Sequence, residues 1–236
     1  MKNIIDKIQQ RWRYRKYPQS QNVDEILYQL AAEQSGQYVI EHMKTTPNYD
    51  YDLNLHRALI KKINPVLLSQ GYVLEFGVAT GRTIRHIARL LPDQQIWGFD
   101  SFQGLPENWS WLFPRGSFKG NRPRVPDNVH LVEGLFSETL PGWCSNLKGP
   151  VALLHIDCDL YSSTSFVLEQ LQDRLVPGSI IIFDEYLNFP GWQQDEFRAW
   201  QEFVLEYQIA YEYIGRVGSH QQVAVRVISK VGKYIV

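Results

Sequence analysis

Two short stretches concentrate carboxylates at a spacing that could do chemistry. His155-Ile-Asp157-Cys-Asp159 ends one apolar run, and Phe183-Asp184-Glu185-Tyr186 ends the next. In an open parallel sheet, ligands collect at the carboxyl ends of neighbouring strands. Asp157, Asp184 and Glu185 are therefore expected to meet at that rim. Three carboxylates in one small space repel one another unless something neutralises them. A divalent cation does so, and oxygen ligands favour Mg²⁺, Ca²⁺ or Mn²⁺ over zinc or copper. Asp159 has two readings: contact with the same ion, or the cap of a helix that begins near Ser162 or Ser163. His155 lies inside an apolar strand and reads first as a hydrogen-bonded core residue. Asp157, Asp159 and His155 are the candidate catalytic groups, although none stands out as a general base. Cys158 is expected to point away from its acidic neighbours, because side chains alternate along extended chain. Tyr161 and Tyr186 either line a substrate pocket or pack.

A second pattern, Glu75-Phe-Gly77-Val-Ala-Thr-Gly81, joins an apolar strand to a helix starting at Arg82. Gly77 and Gly81 let backbone approach a ligand without a Cβ in the way, and the helix start offers free N–H groups. The spacing is not the G-x-G-x-x-G of dinucleotide binders, so no pyrophosphate is expected. Glu75 would repel a phosphate and suit a cation. S-adenosylmethionine, with its sulfonium and ammonium, fits. Asp100, ending the next strand, can accept both ribose hydroxyls. Glu133-Gly134, ending the third, is placed to border the adenine. Thr83 and Ser101, beside the two loops, complete the candidate cofactor set. Trp97 and Phe99 read as core.

Apolar runs must position these groups. They are Tyr72–Phe76, Ile96–Phe99, Val129–Val132, Val151–Ile156, Ser179–Phe183, Ala210–Ile214 and Gln222–Ile228. Helical patterns separate the first five, apart from a long loop after Asp100. That alternation implies a Rossmann-like, doubly wound α/β sheet of seven strands, mostly parallel. The short link Gly215 to Gln221 leaves no room for a crossover helix, so the last two runs should form an antiparallel hairpin. Residues 1–68 read as a helical N-terminal extension or lid, with Lys44–Tyr51 as a loop, and 69–236 as the cofactor-binding domain.

The 236 residues carry 24 lysines and arginines against 25 acidic residues. That balance argues against a nucleic-acid binder working through bulk charge. The basic aromatic tract Arg11-Trp-Arg-Tyr-Arg-Lys16 therefore reads as an exposed face or a subunit contact, and a homo-oligomer is the expectation. No 18-residue apolar run is present, so no membrane span is expected. Met1–Ile8 lacks the apolar core of a signal peptide. Two isolated cysteines suit a reducing compartment, so a cytoplasmic location is expected.

Five pieces of the chain together resemble the macrocin O-methyltransferase-like family. They are Glu75–Gly81, Gly98–Pro106, Val132–Phe136, His155–Thr164 and Phe183–Tyr186, within roughly residues 70 to 228. The resemblance implies the class I methyltransferase fold and transfer of a methyl group to a hydroxyl, often on a sugar of a natural product. It also implies Mg²⁺ held by the residues matching Asp157, Asp184 and Glu185. Where many members have a second Asp, this chain has Glu185. Closure by segments corresponding to Thr45–Asp52 and Phe102–Pro126 is likewise implied. The expected partner is a small-molecule hydroxyl acceptor. The rival expectations are a metal-independent methyltransferase acting on nitrogen or a phenol, and a catalytically silent cofactor-binding subunit.

Overall fold

The computed structural model of the chain describes residues 22–110 and 112–230. The Arg11–Lys16 tract, the Met1–Ile8 start and Trp111 lie outside the described residues. The N-terminal elements are α1 (Val23–His42), β1 (Asn48–Tyr49), α2 (Asp52–Ile60) and α3 (Pro65–Gln70). Then come β2 (Tyr72–Phe76), α4 (Arg82–Leu90), β3 (Ile96–Asp100), β4 (Val129–Glu133), α5 (Phe136–Cys144) and β5 (Val151–Ile156). The chain continues through α6 (Tyr161–Leu171), β6 (Leu175–Phe183), α7 (Glu196–Glu206), β7 (Ile209–Val217) and β8 (Val223–Lys230).

The strands form one sheet in the order β1-β7-β8-β6-β5-β2-β3-β4. Pairing is parallel from β6 through β4, whereas β8 runs antiparallel to both β6 and β7. The expected α/β fold with its closing hairpin is therefore present, with one correction. The sheet has eight strands, not seven, because Asn48 and Tyr49 pair parallel with Arg216 and Val217. Two residues are too few to show a strand period. A side chain secures them: Asn48 Oδ1 accepts from the Gly218 N–H at 2.7 Å.

Alternation along the strands sorts the core into two layers. Leu74, Phe76, Leu154, Ile156, Ile181 and Phe183 face the layer that holds α6 and α7. Val73, Leu153, Ile180 and Ile182 face the other, which holds α2 and α4. Strand β5 is buried at every position, as a central parallel strand covered on both faces must be. Each such side chain contributes about 1.5–3 kcal/mol on burial. The N-terminal extension shares in this core: Leu55, Leu59, Ile60 and Ile63 are buried in the second layer. Trp97 and Phe99 pack as expected, Phe99 stacking on Phe76 at 4.6 Å.

Candidate active site

The sheet's ladder continues one residue beyond two strands. Asp157 N–H donates to Phe76 carbonyl at 2.8 Å, and Asp184 N–H to Ile156 carbonyl at 2.9 Å. Backbone bonds thus set both carboxylates at the rim. Gly77 is held beside them at φ +89°, and a Cβ there would lie 1.5 Å from the Asp157 carbonyl oxygen. The glycine is required by the chain's own neighbouring loop as well as by any ligand, which spacing alone did not reveal.

A cleft of about 460 Å³ opens over this rim. Of the candidate cofactor residues, Gly77, Asp100, Ser101 and Gly134 line it. Asp100 accepts from the Ala79 N–H at its Oδ2 and from the Phe102 N–H at its Oδ1, both at 2.7 Å. Its remaining lone pairs are free to accept from a ligand. Gly81, Glu75, Thr83 and Glu133 lie off the lining. Glu75 is fully buried, its Oε1 accepting from the Thr83 hydroxyl at 3.0 Å and its Oε2 facing His155 Nδ1 at 3.1 Å. Glu133 is turned outward, with Arg122 Nη1 at 3.4 Å. Leu105, Phe136, Ser162, Ser163 and Phe166 also line the cleft. Sequence reasoning missed them as lining, because Ser162 and Ser163 signalled only a helix start and the apolar residues only core.

The loop after β3 is tied across the cleft. Ser162 Oγ donates to Glu107 at 2.6 Å, and Trp109 Nε1 to Asp195 Oδ2 at 2.9 Å. Tyr161 and Tyr186 do not line the cleft; Tyr161 donates to Glu202, and Tyr186 is buried among other tyrosines. Cys158 is buried in the core, touching Thr164 Oγ1 at 3.4 Å and leaving an edge on the cleft.

Two groups of side chains bring ligand atoms within 4.8 Å of one another: His155, Asp157 and Asp184, and Asp157, Asp159 and Glu185. Asp157 belongs to both, whereas Asp184 and Glu185 fall in different groups. Asp159 does not cap the following helix. Helix α6 starts at Tyr161 with Leu160 at its N-cap and no side-chain hydrogen bond there. Asp159 instead adopts φ +62°, a costly conformation for a residue with a Cβ. It turns its carboxylate into the cleft.

Burial, then the charge of Asp184, pushes Asp157 and Glu185 well above the usual carboxylate range. The same causes raise Asp159 to about 7. Asp184 moves the other way: burial would raise it, but His155 holds it below its ordinary value. Burial alone would lower His155, yet the Asp184 and Glu75 carboxylates against its two ring nitrogens hold it well above the usual histidine range. Glu196, which nothing in its polar surroundings in the sequence singled out, is fully buried and accepts the Glu185 N–H at 3.1 Å. Asp184 Oδ1 and Glu185 Oε2 are buried without a hydrogen-bond partner among the described residues. Unpaired buried carboxylate oxygens are costly, and a hard cation fits them.

Residues 74–186 match a family model described as a methyltransferase domain, and all five motifs lie inside that match. The chain is 32% identical over 141 residues to an 8-demethyl-8-(2,3-dimethoxy-alpha-L-rhamnosyl)-tetracenomycin-C 4'-O-methyltransferase of Streptomyces olivaceus, covering 49% of this chain and 53% of that one. It is 29% identical to a demethyldecarbamoylnovobiocin O-methyltransferase of Streptomyces niveus, covering 55% and 58%. The chain thus spans little more than half the length of these curated relatives. The crystal structure of the calicheamicin methyltransferase CalS11 superposes with a TM-score of 0.60 at 27% identity, covering 74% of this chain and 78% of that one. Among the described residues, no helix is long and apolar enough to cross a membrane.

Proposed function

With a methyltransferase domain at residues 74–186 as the premise, we propose that the chain is an S-adenosylmethionine-dependent O-methyltransferase. Its acceptor is a hydroxyl on a sugar of a small natural product, and it uses Mg²⁺ or another hard divalent cation. One observation carries this reading. A single cleft has Asp100 and the Gly77 loop as one part of its lining, and Asp157, Asp159 and Glu185 as another. The tetracenomycin enzyme is named for a rhamnosyl-bearing compound, and CalS11 is also described as a TDP-rhamnose 3'-O-methyltransferase, which supports the sugar acceptor.

When bound, S-adenosylmethionine supplies an electrophilic methyl group on a sulfonium, and a divalent ion favours the ionised form of an acceptor hydroxyl. The chain's own groups do the rest. Asp100 accepts from the ribose hydroxyls and is itself fixed by two backbone donors. Gly134 and Ser101 border the base. Asp157, Asp184 and Glu185 would hold the cation at the rim, Asp157 being the one that shares a ligand group with each of the other two. Asp159 lines the same cleft beside Asp157 and is the carboxylate placed to take the hydroxyl proton. The loop after β3, fastened through Glu107 and Trp109, forms one wall of the cleft through Gly104, Leu105 and Pro106.

Incubation with labelled S-adenosylmethionine and sugar acceptors tests this. Transfer should vanish with EDTA and return with Mg²⁺, and Asp157→Ala should lower kcat by about 10²-fold or more. Transfer indifferent to both would remove the metal from the reading. The His155–Asp184 contact at 3.7 Å, an ion pair whenever His155 is protonated, gives that metal-independent alternative a specific basis.

A further inference from the structure

The rim contains a histidine seated as a metal-bound histidine usually is. His155 Nδ1 stands 3.1 Å from Glu75 Oε2, and both side chains are fully buried. A carboxylate oxygen only accepts, so the hydrogen is on Nδ1. Thr83 in turn donates to the other oxygen of Glu75. Metal-ligating histidines almost always donate their second ring nitrogen to such a group, which fixes the ring and directs the first nitrogen outward. Neutral His56 packs edge-on against the ring, with centroids 4.6 Å apart, and limits its rotation.

The outward nitrogen faces an unusual gap. His155 Nε2 and Asp184 Oδ1 are 3.7 Å apart, too far for a hydrogen bond. Both atoms are buried, and neither has a hydrogen-bond partner among the described residues. Two ligands each about 2.1 Å from a shared ion stand about 3.0 Å apart at a right angle and about 3.6 Å apart at 120°. The observed gap is close to that spacing. Asp157 completes the group and opens onto the cleft.

We infer that His155 Nε2 is itself a metal ligand, joining Asp157 and Asp184 in a mixed nitrogen–oxygen site. This rests on the divalent-cation reading above and changes its chemistry. An imidazole in the set shifts preference from Mg²⁺ toward Mn²⁺, Fe²⁺, Co²⁺ or Zn²⁺. It also makes Glu75 a support of the metal rather than a contact of the cofactor.

Mn²⁺ titrated into the full chain, with electron spin echo envelope modulation on the bound ion, tests the inference directly. Modulation from a coordinated imidazole nitrogen is expected in the unaltered protein and should disappear in His155→Asn. Glu75→Gln should weaken Mn²⁺ binding about 10- to 100-fold. Mn²⁺ bound with no nitrogen modulation would overturn the inference and leave the cation reading standing, the ion then being held by the rim carboxylates alone. Failure to bind Mn²⁺, Co²⁺ or Mg²⁺ at all would overturn both. Because the measurement on the unaltered chain decides the matter, a misfolded variant does not blunt it.

Discussion

Each oxygen of the Asp100 carboxylate accepts one backbone N–H, from Ala79 and from Phe102, and both donors sit at positive φ. One side chain therefore holds two strained loop residues while presenting its free lone pairs to the cleft. Its place at the end of β3 was legible, because an acidic residue closing the second strand of a nucleoside fold has one direction to face. Its grip on the loops was not, since neither Ala79 nor Phe102 signals a left-handed backbone. Replacing Asp100 by Ala removes hydrogen bonds to a charged group, each worth about 1.5–3 kcal/mol. The affinity for S-adenosylhomocysteine, measured by calorimetry, should fall at least about tenfold. An unchanged affinity would leave Asp100 a loop brace only. Glu75 shows the opposite case. Its position before the glycine turn suggested a cofactor contact, but it is fully buried and off the cleft lining, with Thr83 and His155 against its two oxygens.

Among the elements, helix α2 ties the N-terminal extension to the sheet. Its apolar residues, Leu55, Leu59 and Ile60, fall within the stretch read as a helical extension. Those side chains are nearly or wholly buried against the sheet, and the preceding β1 adds an edge strand beside β7. Helix α1 contrasts with it. Val23, Ile26, Leu27 and Leu30 are exposed at helical spacing, so periodicity alone does not tell which helix is clamped. Leu55→Ala should cost about 2–5 kcal/mol in urea denaturation, as a large-to-small change in a packed core does. Leu27→Ala should change stability by less than about 0.5 kcal/mol. Equal effects would mean that α2 is not part of the cooperative unit.

For the whole molecule, the crowded carboxylates tie stability to pH. Asp159 rises from its ordinary 3.8 to about 7 in the folded chain. Between those values the folded state keeps a proton that the unfolded state has released, so stability falls as pH rises through that window. His155, raised above its ordinary 6.5, acts in the same direction at higher pH. Asp184, lowered, stabilises the fold throughout the range above its ordinary 3.8 and loses that contribution only as pH falls below it. In EDTA the melting temperature should therefore be lower at pH 8 than at pH 5. Mg²⁺ or Mn²⁺ should narrow the difference, and Asp159→Asn should flatten part of it. A melting temperature that rises from pH 5 to pH 8 would contradict the charge balance.

Alternating apolar runs were enough to imply a doubly wound sheet, its closing hairpin and the rim on which Asp100, Asp157, Asp184 and Glu185 stand. Those features follow from side-chain period and chain order, which are local. The division of the acidic residues into two overlapping groups was not local. It arises because β2, β5 and β6 lie side by side in register, bringing Glu75, His155 and Asp184 together from positions far apart in the chain. The same packing set Glu196 behind Glu185 and turned Asp159 from a helix cap into a cleft carboxylate. Pairings across strands depend on register and burial, and no window of neighbouring residues contains either.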